Sequence, residues 1–174
     1  MNSETTAGRG NVAICPGSYD PVTNGHLDII ARTATIFDKV VVGVAGRTVR
    51  KQQTLFTAEE RAELIEAAIA DRGLENVEVE VFRNLLVDFA RSHGARAVVK
   101  GLRAISDFEY ELEMNQINRR LADDIESVYL FASPEYSFLS STGVKEMATF
   151  GADISELVPA AAATALAERL AGTN

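Results

Sequence analysis

Val40-Val41-Val42-Gly43-Val44-Ala45 is an unbroken apolar run rich in β-branched residues, with no polar position in alternation. A strand wetted on one face alternates, whereas a strand covered on both faces does not, so this run calls for a parallel sheet held between helices. Other segments supply the rest of such a sheet. Asn11 to Cys15 and Ala97-Val98-Val99 read as short buried strands, Val77, Val79 and Val81 alternate, and Val128 to Phe131 makes a fifth strand. Helical patterns separate them. Leu27, Ile30, Ala31 and Ala34 recur at helical spacing, and Thr57 with Glu60 forms a capping box ahead of Leu64, Ile65, Ala68 and Ile69. Leu85 to His93 predicts a short helix and Asp107 to Leu121 a long one, and two more helices close the chain, from about Thr142 and after Pro159. The expectation is an α/β fold: a Rossmann-like, doubly wound, five-stranded parallel sheet with helices on both faces and a helical C-terminal end. Right-handed crossovers then put the ligand crevice outside the carboxyl ends of the strands, where strand order reverses.

A length of 174 residues predicts one domain, spanning 11–174, and a hydrophobic fraction of 47% is enough to close its core. Met1 to Gly10 is polar and small, which predicts a disordered tail and not a secretion signal. A net charge of -8 argues against a nucleic-acid partner, whose affinity would need a basic surface. No apolar run is long enough to span a bilayer, so no membrane association is expected. Cys15 is the single cysteine, which excludes an internal disulfide and predicts a buried, inert thiol suited to a reducing cytoplasm.

Within this frame, Gly17-Ser18-Tyr19-Asp20-Pro21-Val22-Thr23-Asn24-Gly25-His26 joins the first strand to the first helix. Gly25 and His26 fall in the helix's first turn, where N–H groups and the positive dipole end favour an anion. A tight turn and a cap would explain Gly-His alone. In the longer pattern each member has its own use, since Pro21 stiffens the loop, Asp20 can hold the turn through its own amides, Ser18 presents a hydroxyl, and the His26 imidazole can donate to phosphate. The T-x-G-H element resembles the signature of the nucleotidyltransferase superfamily that includes class I aminoacyl-tRNA synthetases, with Thr23 where many relatives carry His. The flanking G-S-Y-D-P is similar to bacterial phosphopantetheine adenylyltransferases.

Three more clusters extend that resemblance, which runs from Val12 to Pro159. Lys100-Gly101-Leu102-Arg103 sets two cations after a buried strand, a pattern a solvated turn would also produce. With Asp107-Phe108-Glu109-Tyr110-Glu111-Leu112-Glu113 behind it, the string resembles the family's second signature. The resemblance implies that Lys100 binds the acceptor phosphate while Gly101, Leu102, Arg103 and Glu111 face the nucleotide. Asp107, Glu109 and Glu113 are expected on a solvated helix face. Leu139-Ser140-Ser141-Thr142 with Lys145 is similar to the superfamily's triphosphate-binding element; one hydroxyl is explained by capping. The resemblance extends ATP contacts over Tyr136, Ser137, Phe138, Leu139, Ser140, Ser141 and Thr142, besides Gly17, Ser18 and His26, with Lys145 a weaker phosphate candidate. Gly143 departs from the larger apolar residue of the family pattern. Arg47, Arg50 and Lys51 form a basic stretch where the family places a substrate-binding lysine, and the loop is about two residues longer than the family form, so Arg50 and Lys51 both stand for that role, with Lys51 preferred. Leu86 matches a position that touches the acceptor, and His93 is expected to be structural, without a companion.

The resemblance implies transfer of AMP from ATP to 4′-phosphopantetheine, giving dephospho-coenzyme A and pyrophosphate. His26, Lys51 and Arg103 are the expected catalytic residues, and Ser18, Arg50, Lys51, Leu86 and Lys100 the expected acceptor site. Mg²⁺ is expected on the triphosphate with no protein carboxylate cage. Coenzyme A as a feedback ligand and a homohexamer are implied by resemblance alone.

Overall fold

The computed structural model describes residues 10–46 and 54–172. Five strands, β1 (Val12–Gly17), β2 (Lys39–Ala45), β3 (Val77–Phe82), β4 (Ala97–Leu102) and β5 (Glu126–Phe131), form one parallel sheet in the order β3-β2-β1-β4-β5. Six α-helices join and flank them: α1 (Asn24–Ile36), α2 (Ala58–Asp71), α3 (Leu86–Ser92), α4 (Ile105–Leu121), α5 (Ser141–Thr149) and α6 (Ala160–Ala171). The expected α/β architecture is present.

Burial explains the apolar run. Val40, Val42 and Val44 join Ala13 and Cys15 in one core with Leu27, Ile30, Ile65 and Leu166, while Val41 and Ile14 face the other way onto Val87, Phe89 and Ala90 of α3. Alternate side chains thus meet helices on opposite faces, and no position is left for a polar residue. Gly43 interrupts the valines for a steric reason: a Cβ there would lie 2.8 Å from Phe89 Cε1.

Strand order reverses between β1 and β4, where Ile14 pairs with Val98. Chain leaving β1 crosses to β2 on one side and chain leaving β4 crosses to β5 on the other, so the two connections diverge and open a crevice.

Several boundaries differ from expectation, among them β1, which runs on through Pro16 and Gly17, and β5, which starts at Glu126. β4 does not stop at Val99 but continues through Lys100, Gly101 and Leu102, because β5 offers Tyr129, Leu130 and Phe131 as ladder partners. Helix α4 begins at Ile105, two residues ahead of Asp107. The expected tail, apart from Gly10, lies outside the described residues, as do Arg47, Arg50 and Lys51.

Candidate active site

A cleft of about 1020 Å³ occupies the switch point. Its walls include Gly17 and Ser18 after β1, Thr23, Gly25 and His26 at the start of α1, Lys100, Gly101 and Arg103 from β4 onward, and Leu139 to Thr142 before and within α5. Leu86, Glu111 and Tyr136 also line it. Segments more than a hundred residues apart therefore share one concavity. A second cavity of about 520 Å³, between α2 and α6, holds Glu60, Glu63 and Glu168 and none of the predicted site residues.

His26 is set by a capping box. Thr23 is the N-cap of α1, its hydroxyl accepting the His26 amide at 3.3 Å, and the His26 ring nitrogen Nδ1 accepts the Thr23 amide at 3.0 Å. A nitrogen that accepts an N–H bond carries no proton, so the neutral ring bears its hydrogen on Nε2 as a donor. This cap also uses an amide that a phosphate was expected to find, and the Asn24 amide is taken by the Leu157 carbonyl at 2.9 Å. The dipole remains.

Tyr19, a residue with no role among the sequence-based expectations, supports the histidine. Its hydroxyl donates to the Cys15 carbonyl at 2.9 Å and its buried ring meets His26 edge-on, 5.0 Å between centroids. The residue sits at φ 49°, a left-handed conformation that costs energy in a bulky side chain and persists because its surroundings hold it. Gly17 is required by the same ring, since a Cβ would lie 2.8 Å from Tyr19 Cζ.

Asp20 departs from its expected role. It is fully buried and accepts the amides of Leu55 and Phe56, both at 3.0 Å, instead of those of its own turn. Lys145 donates to it at 2.6 Å, so the predicted weaker phosphate candidate is committed to a buried carboxylate and does not line the cleft. Burial pushes the Asp20 carboxyl up, but Lys145 and the two amides outweigh it and hold the group below the ordinary carboxylate range. Arg61, 2% exposed, donates to the carbonyls of Ser18, Ala45, Phe56 and Thr57, and so ties the end of β1 to β2 and α2.

At the far wall Lys100 pairs with Glu111, 3.0 Å to one carboxylate oxygen and 2.9 Å to the other. The expected phosphate ligand and the expected nucleotide ligand thus hold each other. Arg103 donates to the Leu139 carbonyl at 2.8 Å and forks onto Asp107. Asp107 therefore faces the cleft and not the solvated row expected for it. Burial raises its carboxyl, yet the Arg103 side chain and amide outweigh this and leave it lowered. Ser140 caps α5 by accepting the Gly143 amide at 3.0 Å, and Ser141 donates to the Pro21 carbonyl at 2.8 Å. A side chain at position 143 would crowd the Ser140 hydroxyl at 3.2 Å, which suits the glycine found there.

Three predicted ATP residues are placed elsewhere. Leu102 is buried beneath the sheet end, while Ser137 and Phe138 are exposed and do not line the cleft. His93 is not companionless, for it lies 3.3 Å from Glu80 and packs on Phe89. Tyr110 and Met114, one and two turns along α4, join the lining. The adjacent aromatic and acidic residues in that helix were the only signal for them.

Comparison with known proteins agrees with this geometry. Residues 14–147 match the cytidylyltransferase-like family model. Phosphopantetheine adenylyltransferase of Rubrobacter xylanophilus is 58% identical over 149 residues, 86% of this chain and 88% of that protein. The Moorella thermoacetica protein of the same name is 53% identical over 85% of this chain and 90% of its own length. Among solved structures, a Vibrio parahaemolyticus protein described as a nicotinate-nucleotide adenylyltransferase superposes with a TM-score of 0.68 over 92% of this chain and 94% of that one, at 20% identity, a likeness of fold. With sequence identity above half over nearly the full length of both relatives, and the motifs of that family gathered in one cleft, the chain belongs to the phosphopantetheine adenylyltransferase family.

Proposed function

We propose that this chain transfers AMP from ATP to 4′-phosphopantetheine, releasing pyrophosphate and forming dephospho-coenzyme A. The observation that carries this reading is the meeting of Ser18, His26, Lys100, Arg103, Ser140 and Ser141 around one cleft at the strand-order reversal. Relatives at 58% and 53% identity carry the name of that activity.

The chemistry is a displacement at phosphorus. An oxygen of the acceptor phosphate attacks the α-phosphorus, a new P–O bond forms, and the bond to the bridging oxygen breaks with its electrons leaving on pyrophosphate. Two anions must be brought together, so placement and charge stabilisation supply the rate and no side-chain nucleophile is needed. His26, with its proton on Nε2, donates to the oxygens that gain charge. Ser18 orients the acceptor. Lys100 exchanges Glu111 for the acceptor phosphate, while Arg103 and the hydroxyls of Ser140 and Ser141 serve the pyrophosphate side. The basic residue from Arg50 or Lys51 that completes the acceptor site lies outside the described residues.

Mg²⁺ enters as part of the nucleotide substrate. The carboxylates of the cleft, Asp107 and Glu111, are each engaged by a cation, which supports an ion held by triphosphate oxygens and water. Assembly with further copies of this chain, as a homohexamer, belongs to the same reading. Its support is α4, in which no described residue is buried and Ile105, Phe108 and Leu112 stand open, next to an edge strand ending in exposed Phe131. Coenzyme A, which contains the product, is the proposed feedback ligand of the cleft. No helix of the described residues is long and apolar enough to cross a membrane, in keeping with action in the cytoplasm.

Pyrophosphate release with ATP, Mg²⁺ and one acceptor at a time tests the reading. Release is expected with 4′-phosphopantetheine and not with nicotinamide mononucleotide or glycerol phosphate; release with either of those alone, or with none, overturns it.

A further inference from the structure

The geometry points to Asp107 as the positioning residue of the nucleotide side, acting through Arg103. This rests on the reading of the cleft as a nucleotide site. Oδ2 of Asp107 accepts both the amide and Nε of Arg103 at 3.0 Å, and Oδ1 accepts Nη2 at 3.2 Å. Such a side-on fork fixes the guanidinium plane as well as its position. Nη1 then reaches the Leu139 carbonyl at 2.8 Å, so the fork joins α4 to the segment that delivers Ser140 and Ser141.

The count of donors shows what the fork leaves for a ligand. A guanidinium has five N–H groups, and the two bonds to Asp107 and the one to Leu139 use three of them. Two remain for an anion, on a plane that cannot rotate without breaking the fork. Without Asp107, Arg103 would keep its charge but lose its aim, and binding would have to supply the cost of ordering a long side chain.

A simpler role exists. Asp107 lies in the first turn of α4, whose N-cap Ala104 supplies no side-chain cap, so its charge could serve only the helix dipole. The two roles separate experimentally. Asp107→Glu keeps the charge in the first turn and displaces the carboxylate from the fork.

The test is ATP binding with Mg²⁺ by calorimetry, and steady-state pyrophosphate release, on the full chain and four variants: Asp107→Ala, Asp107→Glu, Arg103→Ala and the Asp107→Ala, Arg103→Ala pair. Asp107→Ala and Asp107→Glu are each expected to weaken ATP binding about tenfold, with the acceptor KM within about twofold. In the Arg103→Ala background, Asp107→Ala should add nothing. Additive losses, or an Asp107→Glu chain that binds ATP like the unaltered one, overturn the proposal while leaving the functional reading intact. An unaltered chain that binds no ATP overturns both. Should Asp107→Ala fail to fold, the Asp107→Glu comparison decides alone.

Discussion

The imidazole of His26 and the amide of Thr23 are joined at 3.0 Å, ring nitrogen to backbone nitrogen, and this one bond selects the nitrogen left to act in the cleft. With Nδ1 accepting, Nε2 is the donor. A His26→Ala variant should therefore lose turnover by about a hundredfold or more, with ATP affinity changed only modestly. Full turnover in a folded His26→Ala chain would remove His26 from the transition state. Single-turnover rates and ATP titration separate the two quantities.

Thr23, 1% exposed, holds the other half of that cap. Its replacement by Ala should cost about 1 kcal/mol of stability, seen as a lower urea midpoint. Turnover should fall further than stability explains, because the ring also loses the hydroxyl 3.1 Å from Nδ1. Thr23→Ser, which keeps the hydroxyl, should restore most of both.

Asp20 is fully buried, pairs across the fold with the partly exposed Lys145 and accepts the Leu55 and Phe56 amides, and leaving such donors without their acceptor costs about 1–3 kcal/mol. Asp20→Ala should lower the urea midpoint accordingly. The pH dependence has a defined sign. The carboxyl titrates lower in the folded chain than in the unfolded one, so its stabilisation is complete above the unfolded value of about 3.9 and is lost as pH falls through the folded value. Unfolding free energy measured downward from about pH 5 should drop more steeply in the unaltered chain than in Asp20→Asn. Equal slopes would place the acid sensitivity elsewhere.

Cys15 is 2% exposed and burial pushes its thiol up to about 12, outweighing a hydrogen bond with Thr33 that acts the other way. Thiolate is the reactive form, so iodoacetamide at neutral pH should leave the native chain unmodified and label it once in denaturant. Mass spectrometry of the two samples reads the result. Labelling of the native chain would mean that the β1 end opens readily.

Much of this molecule was legible in its residues. The valine run of β2 identified a doubly covered strand because two-sided burial removes every polar position, and Thr57 with Glu60 marked the start of α2 with both capping bonds present. Relations across the fold were not. Lys100 looked like the first residue after a strand, since a cation rarely belongs in one, but Glu111 receives its charge and β5 continues the ladder. Asp107 looked like one of four similar acids. Which row of a helix turns inward depends on the rotation of that helix about its axis, and packing sets that angle.

Local chemistry written along the chain was enough to specify five strands, their helices and the corner that holds Ser18 and His26, because caps, turns and two-sided burial depend on neighbours a few residues apart. Folding alone decided that Lys145 serves Asp20, that Arg61 clamps Ser18, and that Asp107 aims Arg103. Each of these is a charge choosing among partners distant in the chain or around a helix, and burial leaves only one geometry low in energy.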